Sequence, residues 1–184
     1  MKAIIFDFFD VLVLQGSDSF RLTYFPDYSE KNRQVKQLQL DRESGTIDFN
    51  HFVSKVAAVG GVDESVVLKH IDNYQPNVQL LKYIDTKLKP KYKIGLLSDT
   101  AKGWPYIILS TANLAMFDDV ISSDKAPFTE SETHIFKLAA KNLKVKEKEC
   151  VYIGYLPSYC QAAERAGMKS VWYWGFKQIV KEFG

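Results

Sequence analysis

The chain has 184 residues, 46% of them apolar and 25% charged, with a formal net charge of +2. This is the balance of a globular protein with one domain, or one domain and a small insert, long enough to bury a core. So small a net charge gives no reason to expect nucleic acid or an anionic membrane as a partner.

The first apolar run, "KAIIFDF" (2–8), reads as a strand and continues into "FDVLV" (9–13). Asp7 and Asp10 interrupt it, no basic leader precedes it, and it is too short to span a bilayer. From about 15 to 75 there is no convincing strand. "DFNHFVSKVAAVG" (48–60) and "DESVVLKHIDNY" (63–74) have the pattern of capped amphipathic helices. "NVQLLKYIDTKL" (77–88) predicts another helix, and "KPKYK" (89–93) a basic turn. Strands follow at "KIGLLS" (93–98), "DVISS" (119–123), "CVYIGY" (150–155) and "SVWYWG" (170–175). They are apolar nearly throughout, as strands covered on both faces are. "SETHIFKLAAKNL" (131–143) predicts a helix with Ser131 as N-cap, and "PSYCQAAERAG" (157–167) one opened by Pro157 and stopped by Gly167.

This alternation predicts an α/β fold: a Rossmann-like, parallel five-stranded sheet flanked by helices, with a small helical insert after the first strand. The expected division is 1–14 plus 76–184 for the core and 15–75 for the insert. Cys150 and Cys160 make no disulfide framework and read as buried thiols, which fits a reducing cytoplasm. His51, His70 and His134 have no metal-ligand spacing.

In open parallel sheets ligands bind beyond the carboxyl ends of the strands. Strand one ends at Asp7, strand two at Ser98, and strand four at Gly154 and Tyr155. An aspartate can act as a nucleophile, and a hydroxyl beside loop amides can hold an oxyanion.

"DFFDVL" (7–12), "IGLLSDT" (94–100), "FDDVISSD" (117–124) with "HIFKLAAKNL" (134–143), and "CVYIGYLPSYCQAAERAGMKSVWY" (150–173) resemble, in order, the four motifs of the haloacid dehalogenase superfamily. "SGTIDFNHF" (44–52) resembles the subgroup with a helical cap after the first strand. The resemblance implies Asp7 as the nucleophile position and Ser98 as the oxyanion or phosphate-binding position.

The departures from that pattern fall together. The family's acid–base aspartate is Phe9, and the loss of a proton shuttle typically removes a factor of roughly 10²–10⁴. The glycine that follows is Asp10, which reads as a loop residue capping backbone amides. The lysine of the third motif is Glu130; read without the family it is an acid beside a helix N-terminus. Facing a phosphate at about 5 Å, it would exchange attraction for repulsion worth roughly 3 kcal/mol per charge pair. Lys125 either substitutes for that lysine or is a surface residue. The Mg²⁺ carboxylates of the fourth motif are replaced by Gly154 and Tyr155. Asp10, Asp99 and Asp124 could regroup around a cation only in a rebuilt site.

The expected function is therefore a haloacid dehalogenase-like protein of phosphatase lineage without catalysis: a pseudo-phosphatase that binds a protein or a small molecule. No cofactor is expected. The alternative is a working phosphatase or dehalogenase-like hydrolase with a rearranged site, using Asp7 and, in that case, Mg²⁺. Phe9 and Tyr155 are expected to lay an aromatic ring against Asp7 where the cation would sit. Tyr24, Phe25 and Tyr28 are either a docking surface of the insert or part of its packing.

Overall fold

The computed structural model describes residues 1–14, 16–25, 29–43, 45–71, 74–98, 104–122 and 133–184. The chain divides into two compact units, Met1–Val13 with Pro76–Gly184 and Leu14–Gln75.

The first unit is built on a parallel sheet of β1 (Ala3–Asp7), β4 (Lys93–Ser98), β5 (Asp119–Ser122), β6 (Cys150–Gly154) and β7 (Lys169–Trp172). Their order is β5-β4-β1-β6-β7. The two remaining strands, β2 (Val13–Leu14) and β3 (Gln75–Pro76), have two residues each. All five residues of β1 are buried, because the strand is central and covered on both faces. Its register is Asp7↔Leu97 on one side and Phe6↔Ile153 on the other. The first strand end therefore lies beside Ser98 and Gly154.

Helices α5 (Val78–Tyr83), α6 (Trp104–Ile108), α7 (Thr111–Leu114), α8 (His134–Asn142), α9 (Pro157–Arg165) and α10 (Phe176–Phe183) belong to this unit. α5 continues into one π-helical turn, Ile84–Leu88, so the expected helix over 77–88 has two windings. α8 starts at His134, later than expected; Ser131 lies outside the described residues. Pro157 occupies the first turn of α9, and Gly167 has φ +95° just past its end. Ile5, Leu97 and Tyr152 pack with Ile135, Phe136 and Ala163 in the core.

The second unit holds α1 (Gly16–Tyr24), α2 (Glu30–Glu43), α3 (Phe49–Gly60) and α4 (Glu64–Ile71). α3 is capped as its sequence predicts: the Asp48 side chain accepts from the His51 N–H, and Gly61 takes the left-handed conformation at its end. Phe20, Val35, Phe52, Val56 and Val67 form its core. Among the described residues no helix is long and apolar enough to cross a membrane.

Candidate active site

Asp7 is 6% exposed and stands at the carboxyl end of the central strand. Its Oδ1 accepts the Phe8 N–H at 2.9 Å. Its Oδ2 accepts the Tyr152 hydroxyl at 2.9 Å and the Tyr155 N–H at 3.5 Å. The aromatic ring hydrogen-bonded to the carboxylate is thus that of Tyr152, while Tyr155 contributes its backbone.

The geometry follows from the pleat. Tyr152 pairs with Ile5, so it shares a sheet face with Ile5 and Asp7, and with Gly154 on its own strand. The phenol leans along β6 towards Asp7 and crosses the place where a residue-154 side chain would start. A Cβ at Gly154 would run into Tyr152 Cε1 and lie 2.8 Å from Cζ and 3.0 Å from the hydroxyl. Glycine at 154 is what allows the phenol to reach Asp7. Tyr152 is wholly buried and meets Phe136 edge to face, with centroids 5.0 Å apart.

Burial, and then the neighbouring Asp7 charge, push the Tyr152 phenol well above its usual range. The Cys160 thiol is pushed up to about 11 by burial first and by Asp7 second. Cys160 lies 3.8 Å from the Gly154 carbonyl oxygen, and both cysteines are free and buried, as expected of them.

The loop after β1 folds back tightly. Leu12 and Val13 N–H groups donate to the Phe8 carbonyl, and Asp10 N–H donates to the Val13 carbonyl. Asp10 is buried with φ +59°, a left-handed conformation that aspartate tolerates better than most residues. Phe9 is half-buried and meets Phe8 edge to face at 4.8 Å. Asn77, which the sequence reading did not select, pins this loop. Its Nδ2 donates to the Val11 carbonyl and the Tyr173 hydroxyl, its N–H to the Leu12 carbonyl, and its Oδ1 caps α5 at Leu80. An asparagine opening a helix right after a short strand was the signal available for it.

Ser98 is fully buried at the end of β4, on the strand next to Asp7. Asp99, Asp124, Lys125 and Glu130 lie outside the described residues. In the helical unit Tyr24 stacks on Phe20 at 4.5 Å and Phe25 meets Phe20 edge to face, so both take part in its packing; Tyr28 lies outside the described residues.

Mg²⁺ requires an octahedron of oxygen ligands. Gly154 offers no side chain, Tyr155 offers no carboxylate, and Oδ2 of Asp7 already accepts a phenol. No group of three His, Cys, Asp or Glu residues converges among the described residues. The described donor set does not fit the ion.

A parallel five-stranded sheet flanked by helices, with an aspartate at the end of its central strand and a serine and a glycine at the ends of the neighbours, is a Rossmann-like α/β fold. The chain belongs to the haloacid dehalogenase-like hydrolases, whose family model matches residues 1–167. A predicted HAD-like family hydrolase from Porphyromonas gingivalis is 22% identical, with 99% of this chain and 97% of that one covered and a TM-score of 0.57. A HAD-superfamily hydrolase of subfamily IA from Geobacter sulfurreducens is 13% identical over 100% and 97%, with a TM-score of 0.60. A HAD family enzyme from Bacteroides thetaiotaomicron, solved with magnesium and inorganic phosphate, is 20% identical over 94% and 93%, with a TM-score of 0.53. No curated protein matches the chain.

Proposed function

We propose that this member of the family is catalytically silent, a pseudo-phosphatase that serves as a binding or interaction module for a protein or a small molecule, in a reducing cytoplasm. The observation that carries the reading is the Tyr152 hydroxyl on Asp7 Oδ2, laid across Gly154. A phenol donating to the carboxylate draws electron density from Oδ2 and fills the space beside it, which lowers its power as a nucleophile and hinders approach of a substrate. The position of the proton shuttle carries a phenyl ring, Phe9, and the described carboxylates do not make a Mg²⁺ site. In this reading Asp7 and Ser98 are vestigial catalytic positions, and residues 15–75 form the helical cap.

The competing reading, a hydrolase that uses Asp7 as nucleophile, is favoured by the register that keeps Asp7 and Ser98 at adjacent strand ends. Purified protein with Mg²⁺ and p-nitrophenyl phosphate separates the two. Silence predicts no turnover above buffer, and the same trace for Asp7→Asn. A rate that disappears in Asp7→Asn overturns the proposal.

A further inference from the structure

We propose that the amino edge of the sheet, opposite Asp7, is the docking face, and that its partner is an acidic protein segment. The inference deepens the reading of the chain as a binding module by naming where and what it binds. All five strands run parallel, so their starting residues share one edge. Ala3 pairs with Lys93 and with Cys150, and Val151 with Lys169. The register brings Lys93, Lys2 and Lys169 to that edge within one residue of the same level, from β4 to β7, with Lys93 leaving on one face of the sheet and Lys2 and Lys169 on the other. That stretch of edge spans about 14 Å, three strand spacings. The turns feeding it add Lys91 before β4, and Lys144 and Lys148 before β6, all exposed.

Two of these charges are satisfied locally: Lys2 pairs with Glu149, and Lys93 with Asp118, each at 2.9 Å. Lys91, Lys144, Lys148 and Lys169 have no ion pair among the described residues. The same edge also carries Asp118, Glu147 and Glu149, among which the lysines, with Lys146 in the same turn, are in excess. Lys144 adds a second observation. Its φ is +57°, a left-handed conformation just past α8 that glycine or asparagine adopts more cheaply. The fold does not ask for lysine there, and a charge kept at an unfavourable backbone position points to use.

The chemistry favours carboxylates over phosphates. The cations of this edge are lysines, point charges without the planar fork that pairs phosphate in two places. Arg165, at the end of α9, is the arginine nearest in sequence to them. Tyr92, the aromatic in these turns, is half-buried and gives no platform on which bases could stack.

The test is fluorescence anisotropy of the full chain with a fluorescein-labelled peptide of alternating Glu and Ser, against the same peptide with Gln for Glu. The expected result is binding of the Glu peptide alone, weakening steeply as salt is raised. The triple variant Lys91→Glu, Lys144→Glu, Lys148→Glu should abolish it. The charge-matched control Lys31→Glu, Lys55→Glu, Lys69→Glu, on exposed lysines of the helical unit, should leave most of it. Lys144→Gly should raise the melting temperature while weakening binding about two- to fivefold, which separates charge from folding. No binding of the Glu peptide, or equal loss in both triple variants, overturns the proposal. So does tighter binding of oligouridylate RNA or phosphatidylserine vesicles. Phosphatase turnover with peptide binding intact would remove the silent reading and leave the docking face. Silence without peptide binding would do the reverse.

Discussion

In the sheet unit the buried polar residues gather at one level: Asp7, Asp10 and Ser98 at or just past strand ends, and Asn77 against the loop they border. The strands below them are apolar. In the helical unit, Arg21, Asn32, Lys36 and Gln39 are buried along the bodies of α1 and α2. Residues 32, 36 and 39 recur at helical spacing and share one face of α2. There Arg21 Nη1 donates to Asn32 Oδ1 at 2.7 Å, and Asn32 Nδ2 donates to the Phe25 carbonyl at 2.7 Å. One unit keeps its polar groups where parallel sheets hold ligands. The other uses Arg21 and Asn32 to tie α1 and the chain after it to α2, and the two should fail in different ways when cut.

The largest effect is expected at the strand end. Gly154→Asp would force the Tyr152 ring aside and place a second carboxylate beside Asp7. It should cost about 3–5 kcal/mol, from overpacking and from an unpaired buried charge. Urea denaturation measures it. The same change in a Tyr152→Ala background should cost clearly less than additivity predicts; additive costs would mean that the phenol does not occupy that space.

A middle-sized effect belongs to the helical unit. Asn32→Ala strips Arg21 of its amide acceptor and leaves the Phe25 carbonyl without that donor. A loss of about 1–3 kcal/mol is expected. Asn32→Asp keeps the acceptor and should recover part of it, whereas a surface change such as Lys69→Ala should be silent.

The smallest effect appears only in alkali. The Cys150 and Cys160 thiols are pushed from 9.0 up to about 11 by burial, so the folded state holds their protons longer than the unfolded one. The stability this contributes is whole below pH 9.0 and is lost as pH rises towards 11. Tyr152 extends the loss to higher pH, because its phenol is raised above 10.0. Replacing both cysteines by alanine should flatten the stability curve between pH 9 and pH 11. A curve of unchanged slope would show that the thiols ionise freely in the folded protein.

The sheet was legible in the sequence because its strands are short, unbroken apolar runs, and α3 and α9 because Asp48 and Pro157 announce their starts. α2 was not legible. "EKNRQVKQLQLDRE" has almost no apolar stripe, since the face it buries includes Asn32, Lys36 and Gln39. At the site, Asp7 and Ser98 could be picked from strand ends alone. Tyr152 could not, because a tyrosine inside an apolar strand looks like core. The clue was the glycine two residues on, which leaves one side of the pleat open just where the neighbouring strand ends in an acid. Asp10 is legible as a loop residue, but its left-handed backbone, which glycine adopts more cheaply, is not announced by an aspartate.

The position of β1 has a consequence for the order in which the molecule can be made. Ala3 takes its partners from Lys93 and Cys150, so the central strand is synthesised well before either neighbour. At translation rates of about 5–20 residues per second, roughly seven to thirty seconds separate β1 from β6. The helical unit, continuous in sequence, can close within that interval; the sheet cannot. Ile4, Ile5 and Phe6 wait with unpaired backbone on both sides, and a chain interrupted before residue 150 would present its most apolar strand as an open edge.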